Sequence, residues 1–292
     1  MRESYGFAQF HPVVTALYFA VLLCISMLCM HPVLIGILSA ASLLYYGCLK
    51  GRDGLLLLMK GILPLFLLAV LVNCLFQHTG QTKLFIYPNG KAMTLESLIF
   101  GACAGSMLVS VLVWFACLHE VLGSDKIMYL FGKRIPSLAL LLSMTLRLIP
   151  GMKNQFEQVT EAQAMLGRNA KKGGTLRKVR SAIACFSIVT TWSMENAIDT
   201  ADSMKARGYG SGERSVYAIY EWSQRDREML AFVVISALFF LGVGCSGSLS
   251  WKFYPVCSGS MGKPLNLCMY LAASVYALMP SLIHRREERS WK

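Results

Sequence analysis

The sequence predicts an all-α, polytopic membrane protein with about six transmembrane helices and two further long helices on the cytoplasmic side. Three observations carry that prediction. Of 292 residues, 55% are hydrophobic and only 15% charged, with a mean hydropathy of +0.51; soluble domains carry about 45–50% apolar and about 25% charged residues. Six stretches approach or exceed the ~20 mostly apolar residues that a helix needs to cross a bilayer. Between the fourth and fifth of them lies a long segment, 120–228, that is neither fully apolar nor plainly soluble. Disorder, a disulfide-rich secreted domain and an ordinary cytosolic enzyme are excluded by the composition alone.

The six stretches are 13–30, 32–49, 55–76, 95–118, 229–249 and 265–283. Only His31 and Pro32 separate the first two, which predicts a tight antiparallel hairpin. Lys60 stands one turn inside the third stretch, within reach of the interface by snorkelling. The loop 77–94 holds an apolar run, Leu84–Tyr87, followed by Pro88-Asn89-Gly90, a strand-and-turn pattern. The chain carries 28 Lys plus Arg against 16 Asp plus Glu. In a soluble protein that excess would suggest nucleic acid; here position matters more, and no nucleic-acid partner is expected. Lys50, Arg52, Arg285, Arg286, Arg289 and Lys292 lie on one side with segment 120–228, whereas Lys83, Lys91, Lys252 and Lys263 lie on the other. The positive-inside rule then places both termini and segment 120–228 in the cytoplasm. The resulting organisation is a membrane bundle over 1–119, a cytoplasmic segment over 120–228, and two membrane helices with a basic tail over 229–292.

Within 120–228, the runs Ser137–Leu148 and Ser181–Trp192 are apolar but only 12 residues each, too short to span. Each continues into an amphipathic helix, the first through Pro150-Gly151. In the second, Met194, Ala197, Ile198, Ala201 and Met204 recur at three-to-four spacing as an apolar stripe, with Glu195, Asp199 and Asp202 on a separate acidic face. Gly173-Gly174 separates the two helices, and their ends fall near Gly167 and Gly208, the residue type that caps helix C-termini. Arg147, inside a Leu run, reads as a snorkelling or structurally paired cation, and the Lys/Arg cluster over 168–180 as a contact for anionic headgroups.

Several chemistries lack their residues. The Gly-Lys pairs at 90–91, 132–133 and 262–263 all lack the first Gly of a P-loop. The five His residues show no H-x-x-x-H spacing, no G-x-S-x-G occurs, and the ten Cys residues form no C-x-x-C pair. No cofactor, metal site or catalytic residue is expected. Ionisable residues of the kind that ion-coupled transporters hold at the midplane are nearly absent from the six stretches.

The stretch Ala197-Ile198-Asp199-Thr200-Ala201-Asp202-Ser203-Met204-Lys205-Ala206-Arg207-Gly208 resembles the second X-Arg-Gly motif of the transmembrane T component of energy-coupling factor (ECF) transporters. That family includes the cobalt-uptake membrane subunit. Its first motif is expected some 40 residues upstream. There stand Glu161-Ala162-Gln163-Ala164-Met165-Leu166-Gly167-Arg168, with Gly167 and Gly208 41 residues apart. Leu166 occupies the position of the family's central Arg, so that end docks either through Arg168 or by apolar contact. Ser143-Met144-Thr145-Leu146-Arg147-Leu148-Ile149-Pro150 resembles the family's apolar-Arg-apolar-Pro lead into its first coupling helix.

The resemblance implies a non-catalytic scaffold with a cytoplasmic pair of coupling helices. Two ECF-type ATP-binding subunits, the same or different, would dock at Ala206-Arg207-Gly208 and at Met165-Leu166-Gly167-Arg168, and would themselves hold ATP and Mg. The coupling-helix faces (Met194, Ile198, Ala201, Met204, Glu195, Asp199, Asp202) would pass motion to a small membrane S component that selects a vitamin or transition-metal ion. A guanidinium makes directional bidentate bonds, and a neighbouring Gly permits close backbone approach. The rival reading is a membrane anchor for a cytosolic complex without transport.

Overall fold

The computed structural model of the protein describes residues 6–77, 80–86, 92–132, 135–166, 174–212, 220–246, 251–254 and 264–290. In chain order these form a 3-10 turn (Gly6–Gln9), α1 (Pro12–Leu28), α2 (Pro32–Phe76), β1 (Lys83–Ile86), β2 (Ala92–Thr94), α3 (Leu95–Val121), α4 (Ser124–Gly132), α5 (Pro136–Met165), α6 (Thr175–Ala206), α7 (Gln224–Cys245) and α8 (Pro264–Ser290). The chain divides into two compact units, one made of Met1–Ile127 with Tyr220–Lys292, the other of Met128–Ile219.

In the first unit, α1 and α2 each begin with Pro at the first helical position, where the missing N–H costs nothing and the fixed φ suits a helix. At 45 residues, α2 would extend about 68 Å if straight, more than twice the ~30 Å hydrocarbon core. It is not straight. Gly51, at φ 71° and ψ −170°, breaks it into arms 32–50 and 52–76, in a backbone region that only Gly enters cheaply. Packing against α3 gives the direction of each arm. On one arm, a Cβ at Gly101 would sit 3.3 Å from Val70 Cα and one at Gly105 3.0 Å from Phe66, so that arm runs antiparallel to α3. On the other, Tyr45 lies 6.3 Å from Trp114 and Lys50 pairs with Glu120 at 3.0 Å, so it runs parallel. The arms therefore form an antiparallel hairpin.

Among the described residues, four helices are long and apolar enough to cross a membrane: Pro32–Phe76, Leu95–Val121, Gln224–Gly244 and Pro264–Glu287. α1, at 17 residues, is a shorter apolar helix of about 26 Å. With α2 counted as two arms, each of the six apolar stretches coincides with a helix or a helix arm. The core they share is aromatic. Tyr18 of α1 stacks on Tyr276 of α8 at 4.5 Å, each hydroxyl donating to the other's backbone carbonyl. Phe19, Tyr45 and Trp114 surround them, all buried.

One end of the bundle is closed by the antiparallel pair β1–β2, which matches the strand expected at 84–87; its turn, 87–91, lies outside the described residues. Thr94 caps α3 by accepting from Ser97 N–H, and Glu96 accepts from Thr82 N–H at 3.3 Å. Elsewhere in the same unit the N-terminal segment is fastened to α7 and α8. His11 N–H donates to Asp226 Oδ1 at 2.9 Å and the His11 ring stacks on Trp222 at 4.1 Å. Ser223 and Asp226 form a reciprocal capping box on α7, and Glu287 accepts from Gly6 N–H and Arg225.

The second unit holds the last part of α4 with α5 and α6. α5 runs for 30 residues through Pro150-Gly151, the continuation expected from the sequence: a single proline deletes one N–H donor without unwinding a helix long enough to hold on both sides of it. α6 is 32 residues long and buries Cys185 and Val189, one turn apart on a single face.

Candidate coupling interface

The C-terminal end of α6 is built by its own backbone. Arg207 is the cap residue, and Gly208 follows at φ 75°. Tyr209 N–H donates to Met204 C=O at 3.0 Å and Gly208 N–H to Lys205 C=O at 2.9 Å, the paired bonds of a Schellman motif. Ser211 folds the chain back, its N–H and hydroxyl both donating to Gly208 C=O. Ala206, Arg207 and Gly208 are all exposed. Arg207 makes no ion pair to a described residue, so the guanidinium stands at a rigid, Gly-capped end with its donors available.

The end of α5 is apolar. Its last residue, Met165, is 87% exposed, and the cap residue Leu166 is 72% exposed. Gly167 and Arg168 lie outside the described residues, as do Lys171 and Lys172 of the basic cluster that follows them. Two large apolar side chains are thus presented together at this helix end.

Between the helices runs a groove of about 700 Å3, lined on α5 by Met144, Thr145, Arg147 and Leu148 and on α6 by residues from Trp192 to Arg207. It pairs the N-terminal half of α5 with the C-terminal half of α6. α6 ends within the groove, whereas Met165 lies 14 residues beyond Gly151 at its margin, about 21 Å along the helix. The two tips are therefore well separated.

The face of α6 turned to the groove holds only part of the apolar stripe. Asn196, Thr200, Ser203 and Arg207, with Ala197, Ala201 and Met204, line it. Met194 and Ile198 do not, and are 68% and 64% exposed. They continue a longer outward stripe of exposed Leu176, Val179, Ile183 and Phe186, which falls within about 60° of one line along the helix and spans roughly 33 Å. The acidic face divides too. Asp199 lines the groove, while Glu195 and Asp202 stay outside it, Asp202 in an exposed pair with Lys205 at 3.7 Å of the kind that adds almost nothing to stability. Arg147, read from the sequence as a snorkelling cation, is exposed and shares the groove with Arg207. Its signal was there: Ser193, Asn196, Thr200, Ser203 and Arg207 recur at three-to-four spacing as a small polar stripe.

Residues 8–218 match the model of the cobalt transport protein (CbiQ) family, a match that covers α5, α6, the groove and both tips. The chain belongs to this family. Its similar proteins include three named energy-coupling factor transporter transmembrane protein EcfT. That of Lactobacillus helveticus is 28% identical over 111 residues, 38% of this chain and 40% of the relative. That of Bacillus selenitireducens is 32% identical over 101 residues, 34% and 38% respectively. The Listeria innocua protein is 25% identical over 211 residues, 67% of this chain and 78% of the relative. The chain thus matches about two fifths of the length of the first two and a larger share of the third. Its several candidate spans make it a multi-pass membrane protein, and its charged, exposed α6 end falls inside the matched region.

Proposed function

We propose that this chain is the non-catalytic transmembrane scaffold and energy-coupling subunit of an ECF-type importer. Two cytosolic ATP-binding subunits, which carry the ATP and Mg, dock at its helix tips: one on Ala206-Arg207-Gly208, the other on Met165-Leu166 with Gly167 and Arg168. A small membrane S component lies along the outward apolar stripe of α6 and brings in the vitamin or transition-metal ion. Closure of the ATP-binding subunits moves α5 and α6 against each other, and the stripe carries that motion to the S component. Rigid helices with two arrangements suffice for such transmission. In this reading the segment 120–228 and both termini face the cytoplasm of a bacterial or archaeal cell, and the basic segment over 168–180 rests on anionic lipid.

The observation that carries the reading is the α6 tip. A solvent-exposed guanidinium on a Schellman-capped helix end has no partner within the described chain, and a bidentate carboxylate supplies one. The separation of the tips suits two docking subunits better than one.

The test is affinity purification in detergent of wild type and Arg207→Glu, coexpressed with the ATP-binding proteins encoded beside this chain. Retention of those proteins by wild type and their release by the charge reversal is the expected result. If wild type retains none, or the reversal changes nothing, Arg207-Gly208 is a helix cap alone and the chain is an anchor without transport.

A further inference from the structure

The α5–α6 groove presents two guanidinium groups from two different helices, Arg147 on α5 and Arg207 on α6, and neither forms an ion pair to a described residue. Around them stand Ser193, Asn196, Thr200 and Ser203, neutral groups able to donate hydrogen bonds, and one carboxylate, Asp199. The lining therefore carries an excess of one positive charge. A helix with its side chains is about 10–12 Å across and rises 5.4 Å per turn, so each turn fills roughly 420–610 Å3. The groove, at about 700 Å3, holds between one and two turns.

We propose that this groove seats an acidic helical turn or loop of an ATP-binding partner, gripped from both sides by Arg147 and Arg207. The proposal rests on the coupling-subunit reading and extends it from the tip of α6 into the space between the helices. Each guanidinium offers a planar fork of donors that matches one carboxylate. Asp199 gives the site a polarity: it accepts from a donor beside the partner's carboxylates, which are held at Arg147 and Arg207. Because the two cations belong to different helices, a seated segment also fixes the separation of α5 and α6, so that movement of the partner becomes movement between the helices.

The test extends the copurification with Arg147→Glu, Arg147→Lys and Lys153→Glu. Lys153, on α5, is exposed and does not line the groove. Arg147→Glu should lower retention of one ATP-binding subunit by about tenfold or more, as expected for the loss of a charged hydrogen-bonded contact. Arg147→Lys should restore it only in part, and Lys153→Glu should leave it unchanged. A photoreactive residue at Thr200 should crosslink to the partner, while one at Met194 on the outward stripe should not. This second measurement decides the matter even if Arg147→Glu fails to fold. Retention unaffected by Arg147→Glu while Arg207→Glu still releases the partner overturns the groove proposal and leaves the coupling reading standing. Loss of copurified anionic phospholipid in place of the protein, or a lipid adduct at Thr200, overturns it in favour of a headgroup site. Wild type that retains no ATP-binding subunit overturns both readings.

Discussion

Replacement of Gly208 tests the geometry of the α6 end directly. Gly208 sits at φ 75°, a conformation that costs an L-residue with a Cβ about 1–2 kcal/mol. A Cβ added there would also lie 3.3 Å from Ser211 Oγ, a tight contact that a hydroxyl rotation relieves, so the backbone contribution dominates. Gly208→Ala should therefore destabilise the last turn by about 1–2 kcal/mol, Gly208→Val by more, and Gly208→Asn by less, because Asn enters this region more readily. The penalty falls on the two bonds that close the Schellman motif, Tyr209 N–H to Met204 C=O and Gly208 N–H to Lys205 C=O. Amide hydrogen exchange in detergent reads it locally, since helix ends open independently of global unfolding. Exchange at Tyr209 should accelerate about 5–30-fold in Gly208→Ala, the Boltzmann equivalent of that penalty, while exchange near Val189 should not change. Unchanged exchange at Tyr209, or a Val variant no worse than Ala, would refute the left-handed cap, and with it the idea that Arg207 is presented by a rigid end.

Two further outcomes are expected. Burial lowers the pKa of His11, partly offset by the negative charge of Asp226 beside it. The folded state thus favours neutral His11 and the unfolded chain binds more protons below the ordinary value of about 6.5. The stabilisation is full above that pH and is lost as pH falls through the depressed folded value. A thermal-unfolding series in detergent from about pH 7.5 to 4.5 should show this loss. His11→Asn should flatten it in part only, since buried His31 is lowered in the same direction; an unaltered slope would remove His11 from the account. On α6, Met194→Glu and Ile198→Glu should change thermal stability by no more than about 0.5 kcal/mol each, because both side chains are largely exposed. The same variants should lose the S component in copurification, and a large fall in stability would mean that the stripe is already covered within the chain.

What could be read from the sequence divides by length scale. Apolar runs fix helices over 20 residues at a time, so the six crossing segments emerged with their ends within a few residues. Gly208 was legible as a cap because the left-handed region selects Gly. The strand at 84–87 followed from the turn residues beside it. Which face of α6 meets α5 was not legible. The stripe of Met194, Ala197, Ile198, Ala201 and Met204 reads as one face, yet it is divided: Ala197, Ala201 and Met204 line the groove with Asn196, Thr200 and Ser203, and Met194 and Ile198 do not. Hydropathy says that a face is to be covered; it does not say by which partner. The place of Arg147 was hidden for a related reason: its neighbours in sequence are Leu residues, while the groove that it lines with residues of α6 exists only in the folded unit.

The break at Gly51 bears on how the protein enters the bilayer. One residue turns the chain between two membrane-crossing arms, and the charges at the turn, Lys50, Arg52 and Asp53, sit within a few residues of it. No loop of any length separates the arms, so neither can be handed to the lipid phase while the other waits in water. Residues 32–76 are then expected to enter the bilayer as one hairpin, with their charged elbow on a single side. A bulky tag or added residues at Gly51 would then act first on biogenesis, lowering the amount of protein in the membrane before any effect on transport could be measured.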